Sequence, residues 1–325
     1  MKMQIIATSA FGLEAVVKRE IQALGYDIAS SEDGRICFEG DERALVRANL
    51  WLRCADRVYV NLAEFNAGDV DSLIAGAESV DWASWLPEDG RFIVEGSCVK
   101  SALRSVSRCQ ATIKRAIIEG MRKKYRQHCF PEDGDDYVIR FSALKDRFTI
   151  MLDSSGEALH KRGYRLKDVS APIKETLASA MVQLSFYKAG RLLADPMCGS
   201  GTIAIEAAML GRNIAPGLSR SFAAQKWKLI PLEIWKEEKK LAFEAVDLNA
   251  DIRILASDID VRAVSAARAN AEEAGVDDCI EFSIADAQDF RSDEEYGIII
   301  TNPPYGERMG DSEDLRHLYN NLSKF

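Results

Sequence analysis

The fold of the second half of this chain is decided by the stretch Leu192-Leu193-Ala194-Asp195-Pro196-Met197-Cys198-Gly199-Ser200-Gly201-Thr202. With the apolar residues 203–210 that follow, it predicts a strand, a glycine-rich turn and a helix. Glycines let backbone amides approach a ligand closely, and a helix N-terminus favours an anion. A single turn of this kind is a weak sign, and this one lacks both the third glycine of the dinucleotide-binding fingerprint and the Gly-Lys-Ser/Thr ending of a P-loop.

Two later segments repeat the pattern of an apolar strand that ends in an acid. Residues 254–257 lead into Asp258-Ile259-Asp260, and residues 280–285 lead into Asp286-Ala287. An acid after the second strand is where a doubly wound fold binds ribose hydroxyls, and Asp286 could accept from an adenine amino group. Taken singly, each acid is more often a helix N-cap or a solvated strand end. Their order along the chain favours a binding edge.

A further motif, Asn302-Pro303-Pro304-Tyr305, follows the apolar run 297–301. An exocyclic amine of a base is a poor nucleophile because its lone pair is delocalised into the ring. An Asn side-chain oxygen and a carbonyl of the Pro-Pro step can accept both amine hydrogens and direct the lone pair toward an electrophile, while the tyrosine stacks on the base. The prolines fix φ and remove donors, so the turn is stiff. The alternative interpretation is a strand followed by a proline-rich turn.

Together these motifs resemble those of a class I S-adenosylmethionine-dependent methyltransferase that acts on amines. With residues 159–165 and 171–178, the chain resembles the bacterial THUMP-domain RNA methyltransferases that make N2-methylguanosine in 23S ribosomal RNA, a group often labelled N6-adenine DNA methylases. The resemblance implies a Rossmann-like α/β methyltransferase domain preceded by an α+β ferredoxin-like and THUMP region. It implies a cytoplasmic enzyme with RNA as partner and no metal.

The resemblance also assigns roles to individual residues. Catalysis is expected from Asn302, Pro303, Pro304 and Tyr305, with Lys174, Glu175 and Thr176 closing over the methionine end of the cofactor. Residues 195–202 are expected to line the methionine and ribose portion, Asp258 to hold the ribose hydroxyls and Asp286 the adenine amino group. The complete cofactor-binding set is Asp195, Pro196, Met197, Cys198, Gly199, Ser200, Gly201, Thr202, Asp258, Ile259, Asp286 and Ala287.

The net charge of −9 is unfavourable for RNA binding, since phosphate contacts need cations. The distribution of charge resolves the conflict, because residues 100–126 carry nine basic residues against one acid, Glu119, and residues 161–167 form a second basic cluster. An isolated charge run is more often a solvated helix face. Residues 105–117, however, resemble the helix of a THUMP domain. The expected RNA-binding residues are Lys100, Arg104, Arg108, Lys114, Arg115, Arg162 and Arg165.

Composition is consistent with a cytosolic enzyme. The seven cysteines have no Cys-x-x-Cys spacing and there are three histidines, so a zinc site, a disulfide framework or a histidine-based metal centre is not expected. No apolar stretch is long enough to span a membrane, and the N-terminus is interpreted as a strand rather than a signal peptide.

The chain is predicted to form three domains, at residues 1–66, 67–155 and 156–325. The first half should contain strands at 3–8, 36–39, 58–65, 91–96, 137–143 and 146–153, with helices at 11–24, 41–53, 69–77 and along the basic segment. Residues 211–251 are longer than a Rossmann connection needs, and their aromatic residues predict a packed helical insertion. Since a seven-stranded methyltransferase sheet needs three more strands after Tyr305, and only one helix, near residues 314–323, fits before Phe325, a longer natural protein is expected.

Three other functions stay open at this point. A DNA adenine-N6 methyltransferase and a protein glutamine methyltransferase share the Asn-Pro-Pro-Tyr motif. The first would be expected to carry a domain that reads the DNA major groove, and the second would not need the basic segment 100–126. A non-enzymatic RNA-binding module that senses the cofactor would not need Asn302 to Tyr305.

Overall fold

The computed structural model describes residues 2–126, 129–166, 172–292 and 294–303, and the chain divides into two compact units. Unit 1 comprises Met1–Leu159 and Ser221–Lys240, and unit 2 comprises His160–Arg220 and Leu241–Phe325. The division into three domains remains a prediction. The sequence pattern gives no sign that Ser221–Lys240 groups with the N-terminal residues.

Unit 1 has an α+β architecture, as predicted. Its elements in the first 159 residues are β1 (Met3–Thr8), α1 (Glu14–Ala23), β2 (Ile28–Glu32), β3 (Arg35–Gly40), α2 (Glu42–Trp51), β4 (Arg57–Asn66), α3 (Val70–Glu78), α4 (Trp82–Trp85), β5 (Arg91–Val99), α5 (Val106–Tyr125), β6 (Asp136–Leu144) and β7 (Arg147–Asp153). Each predicted strand and helix of this half is present within a few residues. Strand β2 is not predicted from the sequence, because four of its five residues are exposed and no apolar alternation marks it.

The strands of unit 1 form one sheet with the order β2-β3-β1-β4-β7-β6-β5. Neighbouring strands are antiparallel except β5 and β6, which are parallel. The β4–β7 pair places Tyr59 opposite Asp153 and makes the sheet continuous across the domain boundary predicted at residue 66. The two predicted N-terminal domains therefore share a backbone hydrogen-bond network.

Residues 221–240 pack within unit 1 around buried aromatic side chains, as the sequence predicts for the insertion. Phe222 stacks on Trp235 with 5.1 Å between ring centroids, and Trp227 stacks on Tyr137 of β6 at 6.4 Å. The buried carboxylate of Glu238 accepts from Arg47 Nε of α2 at 2.8 Å and also pairs with a second arginine of that helix. The insertion is thus held by apolar stacking and by a paired buried charge.

Unit 2 contains a parallel sheet. Its elements, in chain order, are α6 (Glu175–Leu184), β8 (Leu192–Asp195), α7 (Thr202–Gly211), the end of α8 (Leu232–Glu244), β9 (Arg253–Asp258), α9 (Val261–Glu273), β10 (Ile280–Ile284) and β11 (Ile298–Ile299). Within the described residues the strand order is β10-β9-β8-β11, and all three pairs are parallel. This is the doubly wound arrangement that the sequence predicts. The helix expected near residues 314–323 lies outside the described residues.

The strand order fixes where a ligand can bind in unit 2. The chain adds β9 and β10 on one side of β8 and then returns to place β11 on the other side. In doubly wound sheets, ligands bind outside the carboxyl ends of the strands at the point where the order reverses, here between β8 and β11. Behind this edge α7 is buried from Thr202 to Met209, and α9 packs through small residues such as Ala267 and Ala271. The edge is therefore backed by the buried faces of α7 and α9.

Candidate active site

Asp195 is the last residue of β8 and contacts both the glycine-rich loop and the residues before Asn302, where the strand order reverses between β8 and β11. It is 1% exposed, and its Oδ1 accepts from Met197 N at 3.3 Å and from Thr301 Oγ1 at 2.8 Å. The backbone of Ile300 also donates to Ala194 O at 3.0 Å, which extends the pairing of β11 with β8. Burial raises the pKa of Asp195 to about 7. One carboxylate oxygen therefore contacts both the glycine-rich loop and the residue before Asn302.

The glycine-rich loop, residues 196–201, turns sharply under the end of β9. Its Gly199 N donates to Asp258 Oδ2 at 2.9 Å, and Cys198 N donates to Ser257 O at 2.8 Å. Gly201 has a φ of +82°, and a Cβ at this position would lie 3.0 Å from Ala267 Cβ on α9. Glycine is required at residue 201 both for the left-handed backbone and for the close approach of the helix.

The two strand-end acids differ in their local roles. Asp258 is half-buried, and its Oδ1 accepts from Asp260 N at 3.0 Å in addition to the bond from Gly199. Asp286, also half-buried, accepts from Gln288 N at 2.9 Å and caps a short 3-10 turn that begins at the buried Ala287. The contact of Asp286 within the chain is thus that of an N-cap, whereas Asp258 is bonded to the glycine-rich loop.

The structure places the start of the amine-binding motif at the carboxyl end of β11. Asn302 and Pro303 are half-buried and directly follow Thr301, whose hydroxyl is bonded to Asp195. The predicted catalytic residues Pro304 and Tyr305 lie outside the described residues.

Three features of this edge fit S-adenosylmethionine, the cofactor that the resemblance implies. Each Asp258 oxygen accepts one backbone N–H and has a lone pair left for a ribose hydroxyl. The neighbouring Ile259 is 71% exposed and offers an apolar surface. Glu175 Oε2, at the start of α6, is buried and accepts no hydrogen bond from a described residue, and burial raises the pKa of this carboxyl. An ammonium group would satisfy that oxygen.

The structure moves Arg162 and Arg165 from the expected RNA surface into the interior of unit 2. Arg162 is 3% exposed, and its Nε lies 3.4 Å from Glu206 Oε1 on α7. Arg165 Nη2 lies 3.0 Å from Glu175 Oε1 and donates to Thr202 Oγ1 at 3.1 Å. A guanidinium paired with a buried carboxylate is not available to phosphates, so both residues are left out of the proposed RNA surface.

The basic helix α5 presents a different environment. Ser105 caps its N-terminus by accepting from Arg108 N at 3.3 Å, and an apolar face that includes Ile113 and Ile117 packs inward. The exposed basic residues in the first half of α5 and in the segment just before it form no ion pair with a described residue: Lys100, Arg104, Arg108 and Arg115. Lys114 is half-buried, and its Nζ lies 2.9 Å from Glu132 Oε1. The first half of α5 therefore carries unneutralised positive charge.

Sequence reasoning missed Asn270, which is 1% exposed on α9 and contacts the glycine-rich loop. One signal was present, because Asn270 is a polar residue between Ala266, Ala267 and Ala271 on the apolar face of a helix.

Among the described residues there is no group of three His, Cys, Asp or Glu side chains arranged to hold a metal ion. The helices within the described ranges include none that is long and apolar enough to cross a membrane.

Family models match most of the chain in three parts. A ferredoxin-like domain described for RlmL matches residues 4–59, a THUMP domain matches residues 67–153, and an RMKL-like methyltransferase domain matches residues 162–325. The fold class predicted from the sequence is confirmed by these matches and by the solved structures below.

Relatives cover nearly all of this chain. A Bacillus subtilis protein provisionally named RNA methyltransferase YpsC is 45% identical, over 99% of this chain and 84% of that protein. Ribosomal RNA large subunit methyltransferase K/L of Psychromonas ingrahamii is 38% identical, over 97% of this chain and 43% of its own length.

Solved structures are equally similar. One from Listeria monocytogenes, provisionally assigned as an N6-adenine-specific DNA methylase, is 44% identical with a TM-score of 0.95, over 99% of this chain and 85% of that one. The structure of SMU.472, a provisionally assigned methyltransferase complexed with SAH, is 38% identical with a TM-score of 0.94, over 99% and 86% of the two chains.

Proposed function

The chain belongs to the RMKL-like methyltransferase family, and from that premise we propose that it methylates an exocyclic base amine in RNA, guanine N2 of 23S ribosomal RNA. The cofactor is S-adenosylmethionine, in keeping with the SAH held by the SMU.472 structure. The observation that carries the proposal is the hydrogen bond from Thr301 Oγ1 to Asp195 Oδ1 at 2.8 Å, because it brings the residue before Asn302 to the loop expected to hold the cofactor.

We assign the cofactor-binding residues by the groups they offer. Asp258 accepts from the ribose hydroxyls, residues 195–202 line the methionine and ribose portion, and Ile259 covers one face of the adenine. Asp286 and Ala287 border the adenine amino group. Glu175 accepts from the ammonium group of the methionine end through its unbonded Oε2. When bound, the sulfonium supplies an electrophilic methyl group, so the protein's contribution is positioning.

The acceptor residues then orient the amine. Asn302 Oδ1 and the Pro303 carbonyl accept the two amine hydrogens, which turns the nitrogen lone pair toward the methyl group. Pro304 stiffens the turn, and Tyr305 stacks on a base taken out of its helix. The amine can lose its proton after the methyl group has been transferred. Half-burial of Asn302 supports this role, because the side chain is shielded but reachable.

RNA is held by exposed basic residues in the first half of α5 and in the segment just before it. Lys100, Arg104, Arg108 and Arg115 are exposed cations without an acidic partner among the described residues, and Lys114 lies beside them. Phosphate contacts of this kind position RNA but do not read its sequence. The choice of 23S ribosomal RNA is supported by the relative from Psychromonas ingrahamii, whose name refers to the large ribosomal subunit.

DNA adenine-N6 methylation is the second candidate. It is favoured by the assignment given to the Listeria monocytogenes structure, and adenine N6 presents the same pair of amine hydrogens to Asn302.

Total RNA, DNA and a glutamine-containing peptide are to be incubated with methyl-labelled cofactor and analysed by nucleoside and peptide mass spectrometry. The proposal requires N2-methylguanosine in RNA. Label in N6-methyladenine of DNA alone, or in the peptide alone, would overturn it.

Single-turnover rates of Asn302 variants test the acceptor site on unmodified RNA. Asn302→Ala should slow methyl transfer by about a hundredfold or more, by analogy with deletion of one preorganised polar group, while SAH and RNA affinities hold. Asn302→Asp restores an acceptor oxygen and should recover part of the rate. Asn249→Ala, at an exposed position of unit 2, is the matched control. Transfer at the parent rate by Asn302→Ala would contradict the assignment.

A further inference from the structure

Asn270 links the glycine-rich loop to a segment that precedes it in the chain. Its Nδ2 donates to Ser200 O at 3.1 Å, and its Oδ1 accepts from Leu166 N at 3.0 Å. Ser200 belongs to the loop, and Leu166 ends the segment Arg162–Leu166, which we call the strap. A single buried amide thus ties the strap to the loop from a position on α9.

Arg165 makes a second link between the strap and the loop. Its Nη2 donates to Thr202 Oγ1 at 3.1 Å and to Ile173 O at 2.9 Å, and it lies 3.0 Å from Glu175 Oε1. Thr202 is the first residue of α7, directly after the loop. The guanidinium therefore fixes the end of the loop relative to the start of α6.

The remainder of the strap is fixed one turn further along α7. Arg162 Nε lies 3.4 Å from Glu206 Oε1, and Tyr164 Oη donates to the same oxygen at 3.1 Å. Gly201 meanwhile packs against Ala267, one turn of α9 before Asn270. The loop is thus held on one side by the strap and on the other by α9, and Asn270 and Thr202, which bond to the strap, are themselves buried.

We propose that Asn270 and Arg165 are positioning residues that hold the glycine-rich loop in its cofactor-binding conformation before the cofactor arrives. The inference rests on the proposed function, because it requires residues 195–202 to bind S-adenosylmethionine. A ligand that must order its own binding loop loses affinity to that ordering. A loop fixed in advance from outside avoids this loss, and the cost of fixing it is met during folding.

A comparison with Asn49 separates this role from ordinary stabilisation of a core. Asn49 is also 1% exposed. Its Nδ2 donates to Leu45 O on its own helix and to Ser154 Oγ, directly after β7. It is therefore a buried amide of the same kind in unit 1, outside the residues proposed for cofactor binding. The same Asn→Asp substitution at both positions introduces the same charged group at an equally buried site, and the two positions differ in the groups that the amide holds.

The test is isothermal titration calorimetry with SAH on Asn270→Asp and Asn49→Asp. Asn270→Asp retains an acceptor for Leu166 N but turns an oxygen toward Ser200 O, so the SAH Kd should rise by about tenfold or more. The KM for S-adenosylmethionine should rise while kcat at saturating cofactor is retained, and RNA affinity should not change. Asn49→Asp should lower the melting temperature and leave the SAH Kd at the parent value.

Arg165→Lys provides a second measurement that does not depend on the folding of Asn270→Asp. Lysine keeps the charge beside Glu175 but cannot contact Thr202, Ile173 and Glu175 with one planar group, so the SAH Kd should again rise. Parent-like SAH affinity in Arg165→Lys and in any folded Asn270→Asp would overturn the inference, as would an equal loss in Asn49→Asp. Failure of the parent protein itself to bind SAH would instead overturn the proposed function, and this inference with it.

Discussion

Two basic segments of this chain, residues 100–115 in unit 1 and residues 161–165 in unit 2, are similar in composition and differ in burial. Arg104, Arg108 and Arg115 are exposed and form no ion pair with a described residue, whereas Arg162 is 3% exposed and paired with Glu206. The carboxylate that decides the second case lies 44 residues away along the chain. A run of charges does not reveal whether it faces solvent or an acid that only the fold brings close.

The buried pair has a clear electrostatic signature. Burial alone would lower the pKa of Arg162, but the Glu206 carboxylate, with smaller contributions from Tyr164 and Glu175, outweighs it and raises the pKa. For Tyr164, burial has the opposite effect and raises the pKa well above its usual value. Its hydroxyl therefore stays protonated and donates to Glu206. Arg162, which the sequence predicts to bind RNA, is therefore part of the structural support of α7.

The largest expected effect comes from breaking that buried pair. Arg162→Met leaves the Glu206 carboxylate in the interior without its guanidinium, which should cost about 3–5 kcal/mol of the free energy of unfolding. Arg108→Met removes an equal charge from an exposed position and should change this free energy by about 0.5 kcal/mol or less. Urea unfolding of both variants at pH 7 provides the measurement.

A double variant identifies the cause of the loss. Arg162→Met combined with Glu206→Gln removes both charges, and most of the lost free energy should return because no unpaired charge is left buried. If Arg162→Met unfolds at the parent's urea concentration, the ion pair has no structural role and the segment regains its place as a candidate RNA contact.

Asp195 extends the comparison to a buried acid that has no arginine beside it among the described residues. Burial raises its folded pKa from 3.8 to about 7, so between these values the folded protein binds more protons than the unfolded chain. Stability contributed by this group is therefore present at low pH and lost as pH rises through about 7, by about 2–4 kcal/mol over the whole window.

Replacing Asp195 by Asn should remove this pH dependence. The free energy of unfolding of Asp195→Asn, measured by urea titration from pH 5 to pH 8.5, should exceed that of the parent at the alkaline end, and the difference should narrow as the pH falls toward 5. A parallel fall of both proteins with rising pH would show that another group is responsible. Cofactor affinity is to be measured separately, since Asp195 belongs to the proposed site.

The exposed segment is tested by its salt dependence. Arg104, Arg108 and Arg115 replaced together by Ala should weaken RNA binding and reduce the slope of log affinity against log salt by about 0.7–0.9 for each lost phosphate contact. Lys188, Arg191 and Lys236, which are exposed elsewhere, replaced together by Ala remove the same charge and should leave the slope nearly unchanged. An identical slope in the two triple variants would mean that α5 is only a solvated face.

The separation of two interacting groups along the chain decides whether their contact could be predicted from the sequence. The acids after β8, β9 and β10 were predictable, because an apolar strand that ends in an acid is a local pattern and parallel strands place their carboxyl ends on one edge. The partners of Asn270 were not predictable, since Ser200 and Leu166 lie 70 and 104 residues away. Patterns report which face of an element is apolar, but not which distant polar group completes a buried network.

The insertion shows the same limit at the level of domains. The aromatic residues Phe222, Trp227 and Trp235 were expected to be core, and they are buried. Their location in unit 1 depends on Tyr137 of β6 and on the pairing of Glu238 with α2, which no local pattern contains. Composition predicts that a segment packs, and the fold determines the partner.

The smallest expected effect concerns Lys114, which lies between the two extremes of the comparison. It belongs to the basic run of α5, but its Nζ lies 2.9 Å from Glu132 Oε1 and both side chains are partly shielded, at 38% and 30% exposed. A paired lysine contributes less to phosphate binding than a free one, because the carboxylate must first be displaced. Glu132→Gln should therefore raise RNA affinity by about two- to fivefold at low salt, the range expected for one partly screened ion pair, and the gain should disappear at high salt.

Fluorescence anisotropy at several salt concentrations measures both effects, with Glu39→Gln, which releases Lys2 from an exposed pair, as the control. An RNA affinity that Glu132→Gln leaves unchanged at low salt, while the Arg104, Arg108 and Arg115 variant loses binding, would confine the RNA surface to the unpaired arginines.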